Sequence, residues 1–296
     1  MLHSVVVTGV SSGIGWAITD SLTKKGFRVF GSVRSERDAD RLLCDFKENV
    51  VPLVFDVADI EAVASARRQV QDALGDGPLL GLVNNAGSGT AAPLLHVPIA
   101  EYRQQLEVNV IGTLSVIQQF APLLKNVGTK PGRIVNIGST AGRIGIPFFG
   151  AYAASKHALN GLSESLRREL LIYGIDVITV VPGPVKTAIW DKADALDFSA
   201  YKNTPYAGLI EDFRNSMVRD GRNGMQPAVI GDAVFAALTD ARPSSTYLRV
   251  AGRLKNWILP TRLPARWVDK LIGNELGLTP KAAQTSPIRK KVPAQR

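Results

Sequence analysis

Hydrophobic positions along the chain follow two periods. Short, β-branched runs at 4–8, 26–34, 50–55, 79–83, 133–138, 175–181 and 246–250 read as strands buried on both faces. Between them lie longer stretches with apolar residues three and four apart, the spacing of one helix face. Ile14, Ala17, Ile18 and Leu22 open the first, 60–74 forms another, and 99–124 is a long one with Asn109 inside it. A helix from about Ala151 carries Leu159, Leu162, Leu166 and Leu170 as a stripe, with Glu164, Arg167, Arg168 and Glu169 opposite. A further helix is expected near 230–238. Strands alternating with helices predict an α/β fold, a doubly wound parallel sheet of seven strands flanked by helices.

Two stretches break the alternation. Residues 188–225 lose periodicity yet hold Ile189, Trp190, Leu196, Phe198, Tyr201, Tyr206, Phe213 and Met217. An aromatic-rich insertion of this kind suits a substrate cover, and equally a satellite core under a long loop. The domain predicted from these elements covers 1–252. Residues 253–280 form an amphipathic C-terminal extension, with Trp257, Leu263, Trp267 and Leu271 among basic residues and prolines. It could dock on the body, on a second subunit or on a membrane surface. In 281–296, Lys281, Arg289, Lys290, Lys291 and Arg296 have no acidic partners, which makes a basic tail.

Composition narrows the class. Across 296 residues, 45% hydrophobic and 21% charged content is ordinary for a soluble globular protein. The single cysteine, Cys44, allows no internal disulfide and is expected to be buried filler in a helix. The chain enters a strand almost at once, so no signal peptide is expected, and no apolar run is long enough to span a bilayer. A cytoplasmic location follows as an expectation. The net charge of +9 would allow weak contact with a membrane surface through the C-terminus; nucleic acid is not an expected partner.

Candidate chemistry begins at the first strand, which runs into Gly9-Val-Ser-Ser-Gly13-Ile14-Gly15 and then a helix. Glycines let backbone amides approach an anion, and the helix N-terminus adds partial positive charge, so this is a phosphate site. Its position at a strand–helix junction supports a dinucleotide fingerprint. At the end of the second strand stand Val33 and Arg34, where a carboxylate would bind a ribose 2′-hydroxyl. A cation there favours NADP(H) over NAD(H). Other strands end in Asp56-Val57 and in Asn84-Asn85-Ala86-Gly87, as on the ligand edge of a parallel sheet.

Tyr152 and Lys156 lie one helical turn apart on one face. Such a pair alone is commonly surface packing. A nearby ammonium, however, favours a phenolate and would bring the phenol toward neutral pH. Ser139, at a strand end, could hydrogen-bond the same substrate oxygen. The bulk of 188–217, with Phe149 and its apolar neighbours, points to an apolar substrate of medium to large size. Arg143 could instead bind a small carboxylate.

As a set, Thr8-Gly9-x-x-x-Gly13-Ile14-Gly15, Asp56, the Asn84–Gly87 run, Asn109, Ser139, Tyr152-x-x-x-Lys156 and Pro182-Gly183 with Thr187 resemble the classical short-chain dehydrogenase/reductase family over about residues 4–250. The finer likeness is to the hydroxysteroid, retinol and 3-hydroxybutyrate dehydrogenase branch. The resemblance implies a single Rossmann-type domain and an alcohol–ketone or alcohol–aldehyde oxidoreductase. Gly9, Ser11, Gly13, Ile14 and Gly15 would hold the pyrophosphate, and Arg34 the 2′-phosphate. Asp56 and Val57 would meet adenine, with Asn85, Ala86 and Gly87 lining the adenosine side. Thr187 and the backbone of Pro182, Gly183 and Val185 would fix the nicotinamide. Tyr152 would be the acid or base, Lys156 would lower its pKa and bind ribose, Ser139 would orient the carbonyl, and Asn109 would support a relay water. The substrate side would comprise Ser139, Tyr152, Arg143, Phe149 and Trp190, and no metal is expected. Some NADP(H) enzymes of the family carry a basic residue where Ser12 stands, so cofactor choice here rests on Arg34. Pairing of helices 99–124 and 151–173 would give a homodimer or homotetramer. The rival classes are a nucleotide-binding sensor or scaffold without turnover, and an enzyme of small hydroxy acids such as 3-hydroxybutyrate.

Overall fold

The computed structural model describes residues 3–124 and 131–280. Its strands are β1 (His3–Val7), β2 (Phe27–Val33), β3 (Val50–Val54), β4 (Leu79–Asn84), β5 (Arg133–Ile137), β6 (Asp176–Pro182) and β7 (Thr246–Arg249). All pair in parallel, in the order β3-β2-β1-β4-β5-β6-β7. Predicted and observed strand ends differ by no more than about one residue.

The helices are α1 (Gly13–Lys24), α2 (Glu36–Phe46), α3 (Ile60–Leu74), α4 (Ile99–Leu106), α5 (Gly112–Phe120), α6 (Gly150–Glu169), α7 (Ile189–Asp194), α8 (Ala207–Arg222), α9 (Ala228–Thr239), α10 (Leu259–Arg262) and α11 (Ala265–Glu275). Because side chains alternate along a strand, Val5 and Val7 enter one core with α1, α2 and α9, while Val6 enters the other with α3 and α5. Burial on both faces explains why the strands read as unbroken apolar runs.

Two features depart from the expectations. The helix predicted over 99–124 is interrupted: Glu107–Ile111 forms a π turn between α4 and α5, and Asn109 sits inside it. Cys44 is exposed rather than buried. The inward face of α2 is Ala39, Leu42 and Phe46, and helical phase carries position 44 away from it. In 188–225, Phe198, Ile210 and Phe213 bury themselves against Phe148, so the insertion forms a satellite core, one of the two readings of this stretch. Leu276 and Leu278, just past α11, pack on that cluster. The basic tail of 281–296 lies outside the described residues.

Candidate active site

The glycine turn is held by atoms from two strand ends. Gly9 has φ +70°, and a Cβ there would lie 2.9 Å from Cα of Ala86. At Gly15 a Cβ would stand 2.1 Å from the Gly9 carbonyl oxygen and 2.5 Å from Nδ2 of Asn85, so only glycine fits. Asn85 Nδ2 donates to the Thr8 and Gly9 carbonyls, each at 2.9 Å. Thr8 Oγ1 accepts from the Asn85 and Ala86 amides, each at 3.0 Å. The side chain of Asn85 therefore fastens the turn. With no acidic residue in its first turn, α1 presents its N-terminus to an anion. Thr187 reaches the same place: a Cβ on Gly13 would be 3.4 Å from its side chain. The loop after β6, with Pro182, Gly183 and Val185, thus meets the start of α1.

At the other end of the crevice Arg34 is exposed, with Nη1 3.9 Å from Oδ2 of Asp56. Asp56 Oδ1 accepts from the Ala58 amide at 3.0 Å. Val57 is buried, and its carbonyl lies so near Gly112 that a Cβ there would be 2.7 Å away. A second cation, Arg41 of α2, donates to the Ser11 carbonyl and pairs with Asp38 at 3.2 Å. Sequence reasoning missed it. The one available signal was its place one turn after Asp38 in the helix that follows Arg34.

Ser139 caps a short turn after β5, its Oγ accepting from the Ala141 amide at 3.2 Å. Its hydroxyl also faces the Tyr152 phenol and favours the ionised form of that phenol. Burial raises the Tyr152 pKa above the usual phenol value, and the Ser139 hydroxyl offsets part of that. Lys156 is buried on the same helix, and burial lowers its pKa to about 8. The expected depression of the phenol by Lys156 is therefore not present in the chain by itself. Both groups lose hydration, which pushes each toward its neutral form. Lys156 Nζ, moreover, donates to the Ile137 carbonyl at 2.9 Å and stands 5.7 Å from the Tyr152 ring centre. The Phe149 ring stacks on Tyr152 at 4.4 Å between centroids.

Asn109 acts as a clasp. Its Oδ1 accepts from the Ser88 amide at 2.9 Å, and its Nδ2 donates to the Ser88 carbonyl at 3.0 Å and to Ser155 Oγ at 2.9 Å. Gly87 lies beside it, where a Cβ would be 3.2 Å from Oδ1. Gln105, not singled out in the sequence, is buried and holds the same loop through the Thr90 amide and the Ser88 carbonyl, both at 2.8 Å. The loop after β4 is thereby fixed against α6, next to Tyr152.

Just before α6, Phe148 has φ +62°, a left-handed backbone rare outside glycine. It is held there by burial against Tyr206 and Phe213 and by the Ala92 amide, which donates to its carbonyl at 2.7 Å. Arg143 is exposed and has no ion-pair partner among the described residues. Trp190 lies against Gly221 of α8 and donates from Nε1 to the Val185 carbonyl at 2.7 Å, tying the 188–225 insertion to the loop after β6.

The carboxyl edge of the sheet thus carries, side by side, a glycine turn suited to an anion and a half-buried phenol above a buried lysine, the arrangement expected of a dinucleotide-dependent oxidoreductase. Residues 3–196 match the family model described as short chain dehydrogenase. The chain belongs to that family, whose members act on CH–OH groups. It is 36% identical over 277 residues to an NADPH-dependent 3-dehydrocapnine reductase of Ornithobacterium rhinotracheale, covering 93% of this chain and 98% of the relative. It is 32% identical to the 17-beta-hydroxysteroid dehydrogenase type 6 of Bos taurus, over 82% of this chain and 79% of the relative. A short chain dehydrogenase from Burkholderia cenocepacia J2315, crystallised in complex with NADP, superposes with a TM-score of 0.68 at 26% identity, covering 94% of this chain and 98% of that one.

Proposed function

We propose that the chain is an NADP(H)-dependent oxidoreductase that interconverts an alcohol with a ketone or aldehyde on an apolar substrate of medium to large size. The observation that carries this reading is the Tyr152 phenol beside the Ser139 hydroxyl, with Lys156 buried one turn away on the same helix. A phenol kept protonated by burial is the acid that carbonyl reduction needs. Tyr152 gives its proton to the carbonyl oxygen, Ser139 orients that oxygen, and in oxidation Tyr152 takes the proton back. Lys156 supplies positive charge as the phenol ionises. The nicotinamide, when bound, supplies or accepts the hydride. Gly9, Ser11, Gly13, Ile14 and Gly15 suit the pyrophosphate, for the close approaches at Gly9 and Gly15 leave backbone as the lining of the turn. Asp56, Val57, Asn85, Ala86 and Gly87 belong to the adenosine side, and Pro182, Gly183, Val185 and Thr187 to the nicotinamide side.

NADP(H) is favoured because Arg34 and Arg41 place two cations at the edge where a 2′-phosphate would lie. A relative named for its NADPH dependence and a neighbour crystallised with NADP support the same choice. Phe148, Phe149 and the cover make an apolar wall. The unpaired Arg143 favours a second reading, a small hydroxy acid. Absorbance at 340 nm tests both, with NADPH or NADH and carbonyls graded from small keto acids to steroids and retinal. Turnover of bulky apolar carbonyls with NADPH is expected, lost at least about a hundredfold in Tyr152→Phe. Turnover of keto acids alone would select the second reading, and near-normal turnover by Tyr152→Phe would overturn the assigned chemistry. Assembly is proposed as a homodimer or homotetramer through residues 99–124 and 151–173, where Ile111, in the π turn between α4 and α5, is exposed.

A further inference from the structure

The charge of this chain is polarised. Beyond residue 252 lie ten lysines and arginines against two carboxylates, Asp269 and Glu275, so this stretch carries +8 of the formal +9. Where the structure describes it, the same stretch is also apolar at its surface. Val268 and Ile272 of α11 are half-buried, and Leu276 and Leu278 anchor the segment to the cover. Trp267 and Leu271, one turn apart, remain 65% and 60% exposed, and Arg266 and Lys270, also one turn apart, flank them. Leu254, at the start of a π turn over Leu254–Ile258, is 64% exposed. A groove between Arg253 and Arg262 is lined by Trp257, Ile258 and Thr261.

We infer that residues 253–275 are a seat for an anionic lipid bilayer. Exposed tryptophan and leucine beside lysine and arginine are what an interfacial helix presents to headgroups and the outer acyl carbons. The groove offers two guanidiniums to a lipid phosphate, with an indole beside them. Nucleic acid would satisfy the cations but gain nothing from exposed leucines. A second copy of the chain would bring the same positive charge to the face. The seat does not depend on what the active site reduces. Because α11 leads into the residues packed on the cover, a bilayer bound here would lie beside the cover.

The test is sedimentation of the full chain with phosphatidylcholine vesicles, with or without phosphatidylglycerol. Binding is expected with the anionic lipid, weakening about fivefold for each cation removed and falling as salt rises. Trp267→Ser with Leu271→Ser should weaken it about tenfold or more at unchanged cofactor binding, which serves as the folding control. Equal binding to neutral vesicles, or none to anionic ones, would overturn the inference. So would loss of binding on deletion of 281–296 together with no effect of the Trp267/Leu271 pair. Tighter binding to duplex DNA than to the vesicles would assign the face to nucleic acid instead.

Discussion

Lys156 shows how far a residue's setting can reverse the expectation drawn from its spacing. The i,i+4 pair suggested a lysine lowering a phenol; burial instead lowers the lysine to about 8 and raises the phenol. This gives a stability prediction with a definite sign. Below pH 8 the proton is on Lys156 in both folded and unfolded chains, and the folded state carries the full cost of a buried ammonium. Between about 8 and 10.5 the unfolded chain binds more protons, so stability rises with pH. The stability of wild type minus that of Lys156→Met should therefore increase by about 2 kcal/mol from pH 7 to about 9.5. Urea denaturation at several pH values measures it, and a flat difference would show that the lysine is hydrated. Tyr152 acts in the opposite sense only above its ordinary range, because its folded pKa is raised.

Among the elements, β5 and α9 are joined by a buried arginine. Arg133 donates from Nη1 to the Ala237 carbonyl at 2.9 Å and from Nη2 to the Asp240 carbonyl at 2.6 Å, capping the end of α9 from the middle of the sheet. Burial lowers its pKa, with Asp176, Tyr247 and Asp240 opposing. Arg133→Met would fill the space but leave those carbonyls unpaired, at about 2–4 kcal/mol. Thermal unfolding is the measurement, and an unchanged midpoint would assign the cap to water. The π turn at Glu107–Ile111 serves a different purpose. It lets α4 and α5 run on while Gln105 and Asn109 both face the loop after β4. Gln105→Ala should loosen that loop and lower kcat with little loss of cofactor affinity, to be read by steady-state kinetics beside cofactor titration.

At the scale of the whole molecule, the crevice is assembled from segments far apart in sequence, so a ligand that bridges them should stabilise the fold by mass action. At a hundred times its Kd, NADPH is expected to add about 2.7 kcal/mol. Arg34→Ala with Arg41→Ala should reduce NADPH affinity about tenfold to a hundredfold and leave NADH affinity nearly unchanged, for only the former carries a 2′-phosphate. Differential scanning fluorimetry with each nucleotide distinguishes them, and an equal loss for both would remove the arginines from cofactor choice.

The chain itself determined whatever depends on near neighbours. Strands, helices, the glycine turn and the spacing of Tyr152 and Lys156 were legible because periods of two and 3.6 residues, and the special conformations of glycine, are local properties. The tertiary structure decided the rest. It brought Arg41 to the Ser11 carbonyl and Gln105 to Ser88, turned Cys44 outward and broke the helix at Asn109. It also made the Tyr152 phenol and Lys156 neutral-seeking by taking hydration from both. Each of these depends on hydration lost to, or hydrogen bonds made with, atoms of another strand or helix, and no spacing along the chain encodes that distance.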